Sequence, residues 1–282
     1  MGLRQFRWFW ICCFWAFGTL ASPMATEIAP WRLSEVISWL EKTPSGRKVL
    51  ESAAQHWGLQ DLSQLTQVLR IGRISKTDAV LTRYYHPDTG HEQRERKVSV
   101  TIRADQSALE AALDLAHELT HAMHGPSWDP YDPELTVSEY IQNAIEGLGG
   151  EAQALMQECR VILELAPQSK IAQSRCGKYL SKEGALLPQL IVEDFYRVGS
   201  AYAELRTALG AQASRLPLLS DEKASLFSST GRSPYPVALL QEYREITEIA
   251  CRNSKQRVSS LRQIASVFPD STQRFLKKRC GS

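Results

Sequence analysis

The chain has 282 residues, 43% of them apolar, and a formal net charge of +2. That length allows a sizeable core in one large domain or two small ones. A charge so near balance excludes a nucleic-acid partner held by a basic surface.

Arg4 and Arg7 precede an apolar run over residues 8–20. At about 13 residues the run is too short for a comfortable span. Thr19 and Ala21 put small residues at the −3 and −1 positions of a cleavage site after Ala21, a secretory signal pattern. Residues 1–21 are expected to be removed on export, leaving 31 acidic residues matched by the remaining basic ones and no stable membrane span. The expected location is secreted or periplasmic. Residues 22–75 form an N-terminal helical segment. Apolar residues recur at helical steps over 31–40, Thr43-Pro44-Ser45-Gly46 breaks the pattern, and 48–57 resumes it until Gly58. A further helix, capped by Asp61 or Ser63, runs to Leu69. The segment is either packing or a removable inhibitory pro-segment.

Residues 76–166 change in texture. The stretch 79–86 is β-branched and aromatic, Pro87-Asp88-Thr89-Gly90 is a turn flanked by solvated His86 and His91, and 97–103 alternates apolar and polar. The pair predicts a β-hairpin, whose second strand could offer an extended substrate an edge. Residues 106–125 follow as an Ala- and Leu-rich helix. Asp105 or Ser107 is positioned to cap its start, and Gly125 stands where a left-handed stop belongs. Pro126 to Pro133 is a loop. Asp132-Pro133 suggests a cap followed by Pro at the first helical position, and Thr136 with Glu139 makes a capping box. One apolar helical face then extends from Ile141 to Leu163. Gly147, Gly149 and Gly150 interrupt it, predicting a kink or the close approach of another backbone. Residues 167–282 are expected to be helical, over about 184–213, 220–227 and 237–267 with a basic tail. They carry no recognisable motif. The fold class is mainly α with a small β-hairpin or sheet (α+β).

The helix over 106–125 carries the chemistry. Glu110, Asp114, His117, His121 and His124 fall on one stripe of an otherwise apolar helix. Within it, His117-Glu118-Leu119-Thr120-His121 is an H-E-x-x-H. Residues four apart project side by side, so two imidazoles can share one Zn²⁺. Glu118 is turned roughly 100° from His117, so it is free to act as general base on a water at the metal. A third protein ligand must come from elsewhere, since three imidazoles at i, i+4 and i+7 of a straight helix do not converge. Glu139, Glu146, Glu151, Glu158 and His124 are the nearby options. Glu151 leans toward the core and is preferred, with Glu146 as the alternative. Asp114 is the candidate to orient a ligand histidine. His124, Tyr131 and Tyr140 are candidates for oxyanion or substrate contacts. Four cysteines remain after the leader, and an even count in an exported chain favours the pairs Cys159–Cys176 and Cys251–Cys280, each stapling a helical hairpin.

With H-E-x-x-H over 117–121 and Glu151-Ala152-Gln153-Ala154 thirty residues beyond, the chain resembles the zincin metallopeptidases of the gluzincin type. There a Glu on a later helix, in an E-x-x-A pattern, completes the site. The likeness covers residues 97–160. It implies His117, His121 and Glu151 as Zn²⁺ ligands, Glu118 as base and a peptide or protein as substrate. Two features depart from that group. Leu155 stands where an Asp often orients a ligand His, and the metzincin continuation is absent. Alternatives of other kinds are an exported zincin-like protein that binds without catalysis, and a zinc amidase acting on cell-wall peptides.

Overall fold

A computed structural model of the chain describes residues 30–85, 92–125, 128–229, 232–261 and 270–281. The expected leader, and the turn with His86 and His91, lie outside the described residues. The architecture is mainly helical with a three-stranded mixed sheet. Helices α1 (Leu33–Glu41) and α2 (Pro44–His56) come first. Thr43 caps α2 by accepting from the Gly46 N–H at 2.9 Å, with Pro44 in the first turn where its missing N–H costs nothing. Asp61 rather than Ser63 caps the next turn, and the short helix α3 (Leu65–Val68) leads into strand β1 (Leu69–Gly72).

Leu40, Leu50 and Leu65 are fully buried in the same core as the apolar face of the central helix. The Trp31 indole donates to the Gln106 carbonyl at 2.9 Å. Residues 30–72 therefore share one core with the central helix.

Strand β2 (Lys76–Tyr85) pairs antiparallel with β3 (Glu92–Arg103), from Lys76 opposite Thr101 to Tyr85 opposite Glu92. The hairpin is longer than its alternating segment suggested, because charged residues continue the ladder without the apolar signature. Strand β1, unforeseen in the sequence, pairs parallel with β3 over Val100 to Arg103. Four residues are too few to display a period, and only the partner strand makes them β. The sheet order β1-β3-β2 makes β3 the central strand. β2 is an edge strand, and β3 is covered on its other side by β1 only over Val100 to Arg103.

That helix is α4 (Ala108–Ala122). Ser107, not Asp105, caps it through a capping box with Glu110. It ends at Met123, and Gly125 is not among the glycines with positive φ, so the expected left-handed stop is absent. Ala112, Leu115, Ala116 and Leu119 are fully buried, and the helix packs against α1, α2, the sheet and α6. The single long helix expected beyond Thr136 is two, α5 (Val137–Glu146) and α6 (Glu151–Leu165). The predicted capping box of Thr136 with Glu139 starts α5, while Asp132 only closes a turn by accepting from the Glu134 N–H.

Helices α7 (Lys170–Cys176), α8 (Pro188–Phe195), α9 (Tyr202–Leu209), α10 (Tyr235–Leu261) and α11 (Asp270–Arg279) complete the fold. Residues 220–227 are not helical. Their backbone groups are satisfied sideways instead, as in Val198 N–H to the Ser220 carbonyl at 3.1 Å. Both expected disulfides are present. Cys159–Cys176 joins α6 to α7, and Cys251–Cys280 ties α10 to the end of α11. Among the described residues no helix is long and apolar enough to cross a membrane.

Candidate metal centre

The four-residue spacing sets the His117 and His121 rings side by side, with centroids 4.9 Å apart. The break between α5 and α6 brings the third group to them. Gly150 is the N-cap of α6 and Glu151 its first residue, so the carboxylate also sits at the positive end of a helix dipole. Glu151 Oε2 lies 3.5 Å from His117 Nε2 and 3.7 Å from His121 Nε2. Donors bound at about 2.0–2.2 Å to one tetrahedral ion lie roughly 3.3–3.6 Å apart. The two measured spacings are close to that, and the donor atoms of all three residues lie within 4.8 Å of one another, a group that could hold a metal ion. Glu151 Oε2 is also buried without a hydrogen-bond partner, a costly state for a carboxylate oxygen that a cation would relieve. Among the described residues His117, His121 and Glu151 are the group whose donor atoms could hold a metal.

The far side of each imidazole is also held. His121 Nδ1 donates to the Gly149 carbonyl at 2.7 Å, which fixes the tautomer and leaves the Nε2 lone pair aimed inward. His117 Nδ1 faces Glu158 Oε2 at 3.5 Å, and the other oxygen of Glu158 accepts from Arg175. Glu158 stands seven residues after Glu151, two turns along the same stripe of α6. It does what the sequence assigned to Asp114. Asp114 itself accepts from Ser75 and Gln106 and lies 3.6 Å from Arg175, one step further out. Gly149 has φ +72°, and a Cβ there would meet the His124 Cβ at 2.5 Å. Here the turn passes hard against the end of α4, the close approach that the glycine cluster predicted.

The electrostatics call for positive charge. Burial would lift the carboxyls of Glu151 and Glu158, but His121 and His117 for the first, and His117 and Arg175 for the second, hold both below the ordinary range. Burial would lower the His117 imidazole, yet its contacts with Glu151 and Glu158 hold it well above the usual value. A proton or a metal ion can meet that demand, and the two compete. Glu118 differs. It is 8% exposed, burial pushes its carboxyl up, and the two imidazoles and the Thr77 hydroxyl only partly offset that. Thr77 Oγ1 is 2.8 Å from both Glu118 Oε2 and the Glu118 carbonyl. A carboxylate with raised basicity beside a possible metal position is suited to take a proton.

His117, Glu118, His121 and Glu151 line a cleft of about 470 Å³ that also includes Lys76, Thr77 and Ala79 of β2. Of the remaining candidates, His124 and Tyr140 line it. His124 Nδ1 donates to the Thr120 carbonyl at 2.8 Å, and the Tyr140 hydroxyl is bonded to Glu242. Tyr131 does not line the cleft and packs on Phe275. Glu146, the alternative ligand, instead accepts from the Tyr196 hydroxyl at 2.6 Å.

Two residues of the cleft gave no signal in the sequence. The Tyr235 hydroxyl bonds Glu151, and Glu242 has its carboxyl pushed up to about 7, chiefly by burial and by the charge of Glu151. Both stand on α10, more than eighty residues from Glu151 in a region without motifs. No family model, curated protein or solved structure matches this chain.

Proposed function

We propose that the protein is an exported zinc-dependent peptide hydrolase, of the kind the H-E-x-x-H and downstream Glu resemble. The observation that carries this reading is the convergence of His117, His121 and the orphaned Glu151 Oε2, which lies 3.5 and 3.7 Å from the two Nε2 atoms. Two imidazoles and a carboxylate are donors that suit zinc. Three protein ligands rather than four also favour an open, catalytic position over a closed structural one.

When bound, zinc supplies Lewis acidity, making a water acidic and a carbonyl electrophilic. Gly149 and Glu158 hold the two ligand imidazoles in orientation. An extended substrate lies along the free edge of β2, bonded through main-chain groups. Glu118 accepts a proton from the attacking water at its carboxylate and returns it to the leaving amine. The Thr77 hydroxyl keeps that carboxylate aimed. His124 and Tyr235 line the cleft and are candidate donors for the developing oxyanion. Two disulfides fit an oxidising compartment outside the cytoplasm.

The test is zinc content and casein cleavage of residues 22–282, with and without Glu118→Gln. The variant should keep its zinc and lose about 10²–10⁴-fold in rate. A protein that binds no zinc, or an unchanged rate in the variant, rejects the reading.

A further inference from the structure

Among the described residues, the charges along the sheet wall of the cleft are paired, with one exception. Lys76 lies 2.7 Å from Asp78, and Arg94 lies 2.8 Å from Asp129. Arg96, two residues from Arg94 on β3 and so on the same face, also lines the cleft. Its guanidinium donates one N–H to the His124 carbonyl at 3.1 Å. Its Nε is shut off from solvent and has no partner. Among the described residues no carboxylate meets this cation, and burial alone acts on it, drawing its pKa down. A partly desolvated guanidinium with a buried, unbonded N–H and no anion is costly. The His124 contact closes the carbonyl end of α4, but that needs only one donor, which leaves the charge unanswered.

We propose that Arg96 is the anion subsite of the cleft, binding a carboxylate of the substrate. Two sources share that chemistry, the C-terminal α-carboxylate of a short peptide and an Asp or Glu side chain. The proposal rests on the hydrolase reading above and adds the substrate class to it. His124 lies three residues beyond the ligand His121, one past the C-cap of α4, which places its carbonyl within about one helical turn of the metal position. An extended peptide advances about 3.3 Å per residue. Arg96 therefore selects a carboxylate one or two residues from the bond that is cut. Arginine is suited to this place because its planar fork can hold the His124 carbonyl and a carboxylate at once, which lysine's point charge does less well.

The experiment uses the full exported chain loaded with zinc and peptides of one common core. One peptide ends in a free carboxylate, one in an amide, and others carry Asp or Glu one or two residues from the cleaved bond behind an amide. The readout is the ratio of kcat/KM for a carboxylate peptide to that for the neutral amide. The wild type should show a ratio of about 10 to 100, the scale of a charge-assisted hydrogen bond, shrinking with added salt. Arg96→Gln should bring the ratio close to one, and Arg96→Lys should restore part of it. A purely capping role would lower all peptides together and leave the ratio unmoved. Which peptides gain tells the α-carboxylate from the side chain.

Peptide binding to the Glu118→Gln form, read by fluorescence anisotropy, separates this inference from the hydrolase reading. A carboxylate preference that Arg96→Gln abolishes, in a protein that cleaves nothing, keeps the subsite and rejects only the chemistry. Equal handling of carboxylate and amide peptides by the wild type overturns the subsite, whether or not Arg96→Gln folds.

Discussion

Gly149→Ala tests the centre without touching a ligand. The new Cβ would stand 2.5 Å from the His124 Cβ, where carbons rest at about 3.5–4.0 Å. The turn over 147–150 must therefore move away from α4 by roughly 1 Å. The Gly149 carbonyl is 2.7 Å from His121 Nδ1, and the same displacement carries it past about 3.5 Å, beyond hydrogen-bond reach. Losing such an outer anchor weakens metal binding by about 10- to 100-fold. The φ of +72° adds backbone strain of about 1–2 kcal/mol for alanine, or roughly 2–8 °C in Tm. Gly184→Ala is the control, with φ +82° and nothing near its would-be Cβ. It should show the loss of Tm and none of the loss of affinity. Zinc affinity by chelator competition and thermal melts of the metal-free forms read both effects. Zinc binding in Gly149→Ala within twofold of wild type would refute the anchoring role. An equal loss of affinity in Gly184→Ala would trace the effect to general destabilisation.

Three further outcomes follow from the same geometry. Glu158→Gln should weaken zinc binding about tenfold by loosening His117, and should cost about 2 kcal/mol in urea melts because Arg175 loses its charged partner. Thr77→Val removes a hydrogen bond that favours ionised Glu118. The acidic limb of its rate–pH profile should therefore move to higher pH while zinc content stays unchanged. Asp194, 2% exposed, has its carboxyl raised by burial but held below the ordinary range by Lys178, Ser225 and Tyr179. A depressed folded-state pKa gives stability that is present above the unfolded value and lost as pH falls through the folded one. Acid melts below about pH 4 should show that loss in the wild type and a flatter curve in Asp194→Asn.

The parts of the site legible in sequence are those written within one or two turns of a helix. His117, Glu118 and His121 follow from periodicity, and so does the capping box at Ser107. Glu151 was reachable because a carboxylate among Ala152 and Leu155 needs a cation partner. The glycine cluster at 147–150 announced a close approach but not its neighbour. Glu158 was in view as a possible ligand, yet its service to His117 was given to Asp114, because same-helix spacing is visible in a sequence and the packing of α6 on α4 is not. Strand β1 and the irregular course of 220–227 went unread for a related reason. Their backbone hydrogen bonds are made with distant segments, and nothing local demands them.

By itself the sequence determined the pair of histidines, the glutamate beside them, a helical chain with one hairpin and the pairing of four cysteines. These rest on short-range geometry, the rise of a helix or the reach of a side chain to its neighbour four residues on. Only the tertiary structure decided that β2 is an edge strand, that Tyr235 and Glu242 from α10 enter the cleft, and that the Nε of a half-buried Arg96 is left without a partner. Each depends on which surfaces meet when the core closes. That choice is made by burial summed over the whole chain, and no single stretch of it carries the answer.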